Sequence, residues 1–77
     1  MRFLCDHMLG TLAKWLRFLG YDTAYPGPLG DNEMGTLATG EGRVLLTRDK
    51  ELSSRIPSAV YVGSDDPDEQ LLQVARA

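Results

Sequence analysis

Four times within 77 residues a short apolar run gives way to a helical pattern, and that alternation leaves few folds open. Phe3-Leu4-Cys5 reads as a buried strand ending at Asp6. From Leu9 the period changes: Leu9, Leu12, Ala13, Leu16 and Leu19 recur at the three- and four-residue spacing of an amphipathic helix, with Gly20 as its stop. Asp22-Thr23-Ala24-Tyr25 forms a second short strand, and the breaker cluster Pro26-Gly27-Pro28-Leu29-Gly30 follows. Asp31 then stands in N-cap position before a helix whose apolar face is Met34, Leu37 and Ala38, closed by Gly40-Glu41-Gly42. Val44-Leu45-Leu46-Thr47 is apolar and β-branched enough to be a central strand buried on both faces. Asp49 caps a short helix through Leu52, which Pro57 stops, and Val60-Tyr61-Val62 is the fourth strand. Asp66-Pro67-Asp68-Glu69 supplies a cap, a first-turn proline and acidic residues for a last helix, with Leu71, Leu72 and Ala75 toward the core.

Strands that alternate with helices imply crossover connections and a mostly parallel sheet. The expected architecture is therefore α/β, a four-stranded, mostly parallel sheet with flanking helices and strand order 2-1-3-4. That order sets the ends of the first and third strands side by side, where open α/β sheets bind ligands. Asp6 and Asp49 would meet there. Two carboxylates brought together repel unless a cation lies between them, and a hard divalent ion such as Mg²⁺ or Mn²⁺ suits two carboxylates and several waters.

The same residues have plainer readings. An aspartate after a strand commonly caps the next helix, and for Asp49 alone capping is about as good an account as metal binding. For Asp31, spacing alone favours the cap, with Glu33 complementing the helix dipole. Asp65, Asp66, Asp68 and Glu69 read as a solvated helix start, although Asp65 follows the fourth strand and is the one that could reach the pocket. His7 reads as a loop residue, and Cys5 lacks partners at zinc spacing and belongs in the core.

Composition narrows the class further. A hydrophobic content of 43% fits a globular domain rather than a disordered one. The single cysteine excludes an intrachain disulfide and fits a reducing compartment. No apolar stretch approaches the roughly 20 residues that span a bilayer, and Asp6 and His7 interrupt any signal-peptide core. A soluble, cytoplasmic protein with no membrane partner is expected. Domains this small gain from self-association, so a homodimer is an expectation too. The formal charge of −3 argues mildly against a plain phosphate-neutralising surface but not against an enzyme whose acidic residues hold metal.

Basic contacts are nonetheless present. Lys14 and Arg17 share a face of the first helix, with Trp15 about 100° round from Lys14. Arg48 and Lys50 flank Asp49. Such a basic face with an aromatic can grip a nucleic-acid strand, though an ordinary solvated face with Trp15 half-buried on the sheet explains it equally. Gly10 either admits a phosphate to the helix start or makes a tight turn. Phosphate-binding loops of the lysine-serine type, dinucleotide fingerprints and nucleophile elbows are absent, and no serine has a plausible histidine partner.

The segments Phe3-Leu4-Cys5-Asp6-His7-Met8-Leu9-Gly10-Thr11-Leu12-Ala13-Lys14-Trp15-Leu16-Arg17-Phe18-Leu19-Gly20-Tyr21-Asp22 and Glu41-Gly42-Arg43-Val44-Leu45-Leu46-Thr47-Arg48-Asp49-Lys50-Glu51-Leu52 resemble the Mut-seven C-terminal-domain family of PIN-like ribonucleases. The resemblance implies a three-layer α/β/α PIN-like fold and a ribonuclease that depends on Mg²⁺ or Mn²⁺. It implies that Asp6, Asp31 and Asp49 are catalytic metal ligands, and it raises Asp31 above a simple cap. It also assigns Lys14 and Arg48 to basic positions facing RNA; Arg17 joins them by sharing the face of Lys14. The fourth acidic position of active PIN nucleases has only a loose counterpart, Asp65 or Asp66. Family members often continue into a cysteine-rich, zinc-ribbon-like segment, so residues 1–77 are expected to be a single PIN-like domain lacking that extension.

Two functions follow. The first is a metal-dependent ribonuclease in which a metal-bound water attacks the RNA phosphodiester. The alternative is a non-catalytic PIN-like module that binds RNA or protein, which the insecure fourth ligand favours. A receiver-like phosphotransfer domain is set aside, since only one aspartate follows the first strand and no lysine follows the fourth.

Overall fold

The computed structural model describes residues 1–76. Its elements run β1 (Arg2–Cys5), a 3₁₀ turn (His7–Leu9), α1 (Gly10–Phe18), β2 (Asp22–Ala24), α2 (Asp31–Glu41), β3 (Val44–Thr47), α3 (Lys50–Arg55), β4 (Val60–Tyr61) and α4 (Pro67–Arg76). All strands are parallel, in the order β2-β1-β3-β4 expected from the alternation. Register pairs Leu4 with Ala24 and with Leu45, and Thr47 with Tyr61.

The two central strands are apolar on both faces because both faces are covered. On one side Phe3, Cys5 and Leu46 pack with Leu9, Leu12, Ala13 and Leu16 of the 3₁₀ turn and α1, with Leu71 and Val74 of α4 against them. On the other side Leu4 and Leu45 pack with Met34 and Ala38 of α2 and Leu52 of α3. The result is a three-layer α/β/α sandwich.

Several local expectations are corrected. Leu19 continues the periodic stripe in sequence but is 59% exposed. Helix α1 has already ended: Tyr21 N–H donates to Leu16 O and Gly20 N–H to Arg17 O, a closing motif that needs the left-handed Gly20 (φ 96°). The Gly40-Glu41-Gly42 stop of α2 falls where expected, with the left-handed Gly42 as its cap and Arg43 N–H bonded to Ala38 O. On α4 the core face is Gln70, Leu71 and Val74, while Leu72 is 53% exposed and Ala75 lies at the surface. Gln70 tolerates burial because its amide donates to Ser64 O (2.8 Å). Asp31 is the first residue of α2 and not its cap: Gly30 holds the N-cap position, and the Glu33 carboxylate accepts from Gly30 N–H (3.2 Å). The Asp31 carboxylate instead faces Arg55 of α3, Oδ2 lying 3.6 Å from Nη1.

Among the described residues no helix is long and apolar enough to cross a membrane.

Candidate active site

The carboxyl ends of β1 and β3 lie side by side because the sheet order makes them neighbours. Asp6 leaves β1 there with its backbone still tied to the sheet, its N–H donating to Leu46 O (3.1 Å). Its side chain is only 7% exposed. One carboxylate oxygen, Oδ1, accepts from Met8 N–H (2.8 Å) and so caps the 3₁₀ turn. The other, Oδ2, accepts from the hydroxyl of Thr47 (2.7 Å).

Thr47 is fully buried at the end of β3 and works in two directions. While its Oγ1 donates to Asp6, the same oxygen accepts from Asp49 N–H (3.0 Å). Asp49 in turn caps α3, Oδ1 accepting from Glu51 N–H (2.9 Å) and Leu52 N–H (3.2 Å). Asp6 and Asp49 are thus joined through one hydroxyl, which holds the Asp6 carboxylate and the Asp49 backbone. Sequence reasoning missed Thr47, because a threonine in an apolar run reads as a strand former. The signal that could have found it is a hydroxyl two residues before an aspartate, the spacing of a side-chain turn.

Among the described residues none of the ion pairs includes Asp6 or Asp49, and Asp49 is exposed with Oδ2 free of any hydrogen bond. Capping and ligation are compatible here, since Oδ1 of Asp49 serves the helix and Oδ2 remains. Both carboxylates keep acceptor capacity, because each oxygen has two lone pairs. This donor set, hard oxygens with room for water, fits a hydrated Mg²⁺ or Mn²⁺.

The other expected ligands stand apart. Asp31 lies at the start of α2, where Oδ2 is 3.6 Å from Arg55 Nη1 of α3. Asp65 follows the edge strand β4 and is exposed, separated from β1 by β3. Among the described residues no three His, Cys, Asp or Glu side chains are grouped closely enough to hold one ion. Asp66, Asp68 and Glu69 form the helix start expected of them, Asp66 Oδ1 accepting from Asp68 N–H (3.1 Å).

The basic residues divide by what already holds them. Arg17 Nε donates to Thr23 O (2.9 Å), tying α1 to β2. Arg48 leans along the carboxyl edge toward Gly63 O (Nη2, 3.4 Å), while its Nε is buried with no partner. Lys14 is exposed on α1. Trp15 is half-buried, 45% exposed, and meets Phe18 edge-on (centroids 6.1 Å apart). Gly10 is explained by a neighbour: a Cβ there would stand 3.0 Å from the Tyr25 hydroxyl.

Cys5, one residue before Asp6, is fully buried. Burial first, and the Asp6 carboxylate second, push its thiol up to about 12, with Arg17 pulling weakly the other way. It stays a neutral core side chain and supplies neither a thiolate nucleophile nor a metal ligand.

An open parallel sheet with helices on both faces defines a three-layer α/β protein, and ligands of such sheets bind beyond the carboxyl ends of the strands. The sequence matches the family described as the Mut7-C RNAse domain over residues 1–77, and the chain belongs to that family. The family description gives a ribonuclease-type role. No curated protein and no solved structure matches the chain.

Proposed function

We propose that the protein is a metal-dependent ribonuclease whose site is centred on Asp6 and Asp49. The observation that carries this reading is the uncompensated acidic pair, buried on one side, tied through Thr47, and lying at the sheet's switch point in a chain of a ribonuclease-domain family. Asp6 and Asp49 hold hydrated Mg²⁺ or Mn²⁺, while Asp31 and Asp65, which stand apart from the pair, join as further ligands only if they move toward it. When bound, such an ion lowers the pKa of a coordinated water and stabilises charge on the phosphodiester.

The chain's own residues do the rest. Thr47 keeps the Asp6 carboxylate from rotating and sets the backbone of Asp49. Arg48 and Lys14 attract the phosphate backbone, and Arg17 adds charge beside them.

The test is cleavage of a labelled RNA with Mn²⁺ or Mg²⁺, comparing wild type with Asp6→Asn and Asp49→Asn. Metal-dependent cleavage lost in both variants supports the reading; cleavage unchanged in both, or absent from wild type, removes it.

One observation favours the second reading, a non-catalytic module that binds RNA or protein: Asp31 is paired with Arg55 and stands away from Asp6 and Asp49. Arg55→Met separates the two. On the ribonuclease reading it releases Asp31 and leaves cleavage intact or faster, whereas the binding-module reading gives RNA retention without turnover in either protein.

A further inference from the structure

Helices α1 and α4 cover one face of the sheet, and the outside of that layer is apolar where it should meet water. An open groove of about 720 Å³ runs between the two helices, with Phe3 and Leu71 toward its floor and Met1, Leu19, Tyr21 and Leu72 toward its rim. Tyr21 meets Phe3 edge-on (centroids 5.5 Å apart), so floor and rim brace each other. Trp15 and Phe18 carry the apolar surface past Leu19, because residues three and four apart share a helix face. Phe18 is 81% exposed and Met1 80%.

Six of the nine large hydrophobic side chains exposed among the described residues thus belong to this one layer. Their exposed parts amount to on the order of 700 Å², against the roughly 800 Å² that each partner contributes to a stable interface. Single exposed apolar residues need no explanation, but a joined patch of this size marks a surface that is covered. A small ligand is a poor occupant. Such sites hold their ligand with several convergent polar groups, and the only charged side chain lining this groove is Asp68.

The charges beside the groove point to a second copy of the chain. On α4, Asp68, Leu72 and Arg76 recur every four residues, so exposed Leu72 has an acid one turn before it and a base one turn after it. Among the described residues none of the ion pairs includes Asp68 or Arg76. A twofold contact is self-complementary by construction, each residue meeting the same partner twice. Two α4 helices crossing antiparallel at Leu72 set the Asp68 of each copy against the Arg76 of the other.

We propose that the outer face of α1 and α4 is a homodimer interface. Leu72 meets Leu72 across the twofold axis, Asp68 and Arg76 pair twice, and the apolar groove of each copy is covered by the other. Neither Asp6 nor Asp49 lines this groove, so the proposal stands apart from the ribonuclease reading.

The experiment is sedimentation of the full chain over a range of concentrations, with Asp68→Arg, Arg76→Asp and Leu72→Asp, each variant checked for folding by its ¹H–¹⁵N spectrum. The account expects wild type to approach twice the 8.5 kDa of one chain as concentration rises. Each substitution weakens that association at least tenfold, since it sets like charges or two carboxylates against each other. An equimolar mixture of Asp68→Arg and Arg76→Asp associates again, because the first carries bases at both positions and the second acids at both. Wild type that stays a monomer up to about 1 mM would overturn the proposal, as would a dimer indifferent to the three substitutions. A mixture of the two charge variants that associates no better than either alone would overturn it too. If Leu72→Asp perturbs the fold, the mixture of charge variants still decides.

Discussion

The two edges of the sheet treat their carboxylates in opposite ways. At the amino edge, every acidic side chain near the strands meets a guanidinium. Asp22, opening β2, accepts from Arg43 Nη1 (2.9 Å) and Arg2 Nε (3.2 Å), and Glu41 accepts from Arg43 Nε (2.6 Å). Arg43 also donates to Phe3 O (3.1 Å) and Asp22 O (3.2 Å), and Arg2 to Glu41 O, so the charges are stitched to backbone. At the carboxyl edge Asp6 and Asp49 meet a hydroxyl and amide N–H groups, and among the described residues neither forms an ion pair. Charges matched within the chain hold geometry; charges left unmatched are open to something from outside. The proposed site lies on the edge whose carboxylates are left unmatched.

The largest effect expected from breaking this contrast is on cleavage. Asp6→Asn or Asp49→Asn removes a proposed direct ligand, so Mn²⁺-dependent RNA cleavage should fall by more than the about 10- to 100-fold that loss of a supporting partner costs a metal site. Thr47→Val is that supporting loss. It leaves a buried Asp6 oxygen without its donor, and we expect metal affinity to drop about 10- to 100-fold and chemical denaturation to show about 1–3 kcal/mol of destabilisation. Arg43→Met, at the other edge, should lower stability by about 1 kcal/mol in the same measurement while cleavage stays at the wild-type level.

Smaller effects sharpen the comparison through a change of sign. Asp22→Asn removes the acceptor of two guanidinium groups and should lower the melting temperature. Asp49→Asn removes one of two neighbouring like charges while an asparagine still caps α3, and should leave the metal-free melting temperature unchanged or raised. Acid should act on the amino edge as well. Hydrogen bonds from Arg43 and then Arg2 hold the Asp22 carboxyl below its ordinary value of 3.8. Its stabilising contribution is therefore complete above that value and is lost as pH falls through the lower folded value. A urea midpoint measured from pH 6 downward should decline more steeply in wild type than in Asp22→Asn. Cys5, buried beside the site, should resist thiol reagents in the native protein and react on unfolding.

Much of this contrast could be read from residue order. Four apolar runs alternating with helical stripes gave the strand order, and strand order placed Asp6 beside the β3 exit before any side chain was known. The rest depended on competitions that spacing does not decide. Gly30 took the cap that Asp31 was expected to fill, because Glu33 could reach back to its N–H and satisfy the helix start. Leu19 lies where α1 has ended and Leu72 on the exposed face of α4, while buried Gln70 is satisfied by one amide hydrogen bond to Ser64 O. Thr47 was hidden by its own propensity for strand, and Tyr25 by the short strand it extends. Each acts through a hydroxyl contact across elements, Thr47 to Asp6 and Tyr25 to His7 O, which no local pattern announces.

The central claim is that unmatched carboxylates at one edge form a shared cation site. It is tested most directly by titrating Mn²⁺ into ¹⁵N-labelled protein and following paramagnetic broadening in wild type, Asp6→Asn, Asp49→Asn and Asp22→Asn. The account predicts broadening centred on residues around Asp6, Thr47 and Asp49, lost in the first two variants and retained in Asp22→Asn. Broadening centred on the amino edge, or no localised broadening at millimolar Mn²⁺, would contradict it.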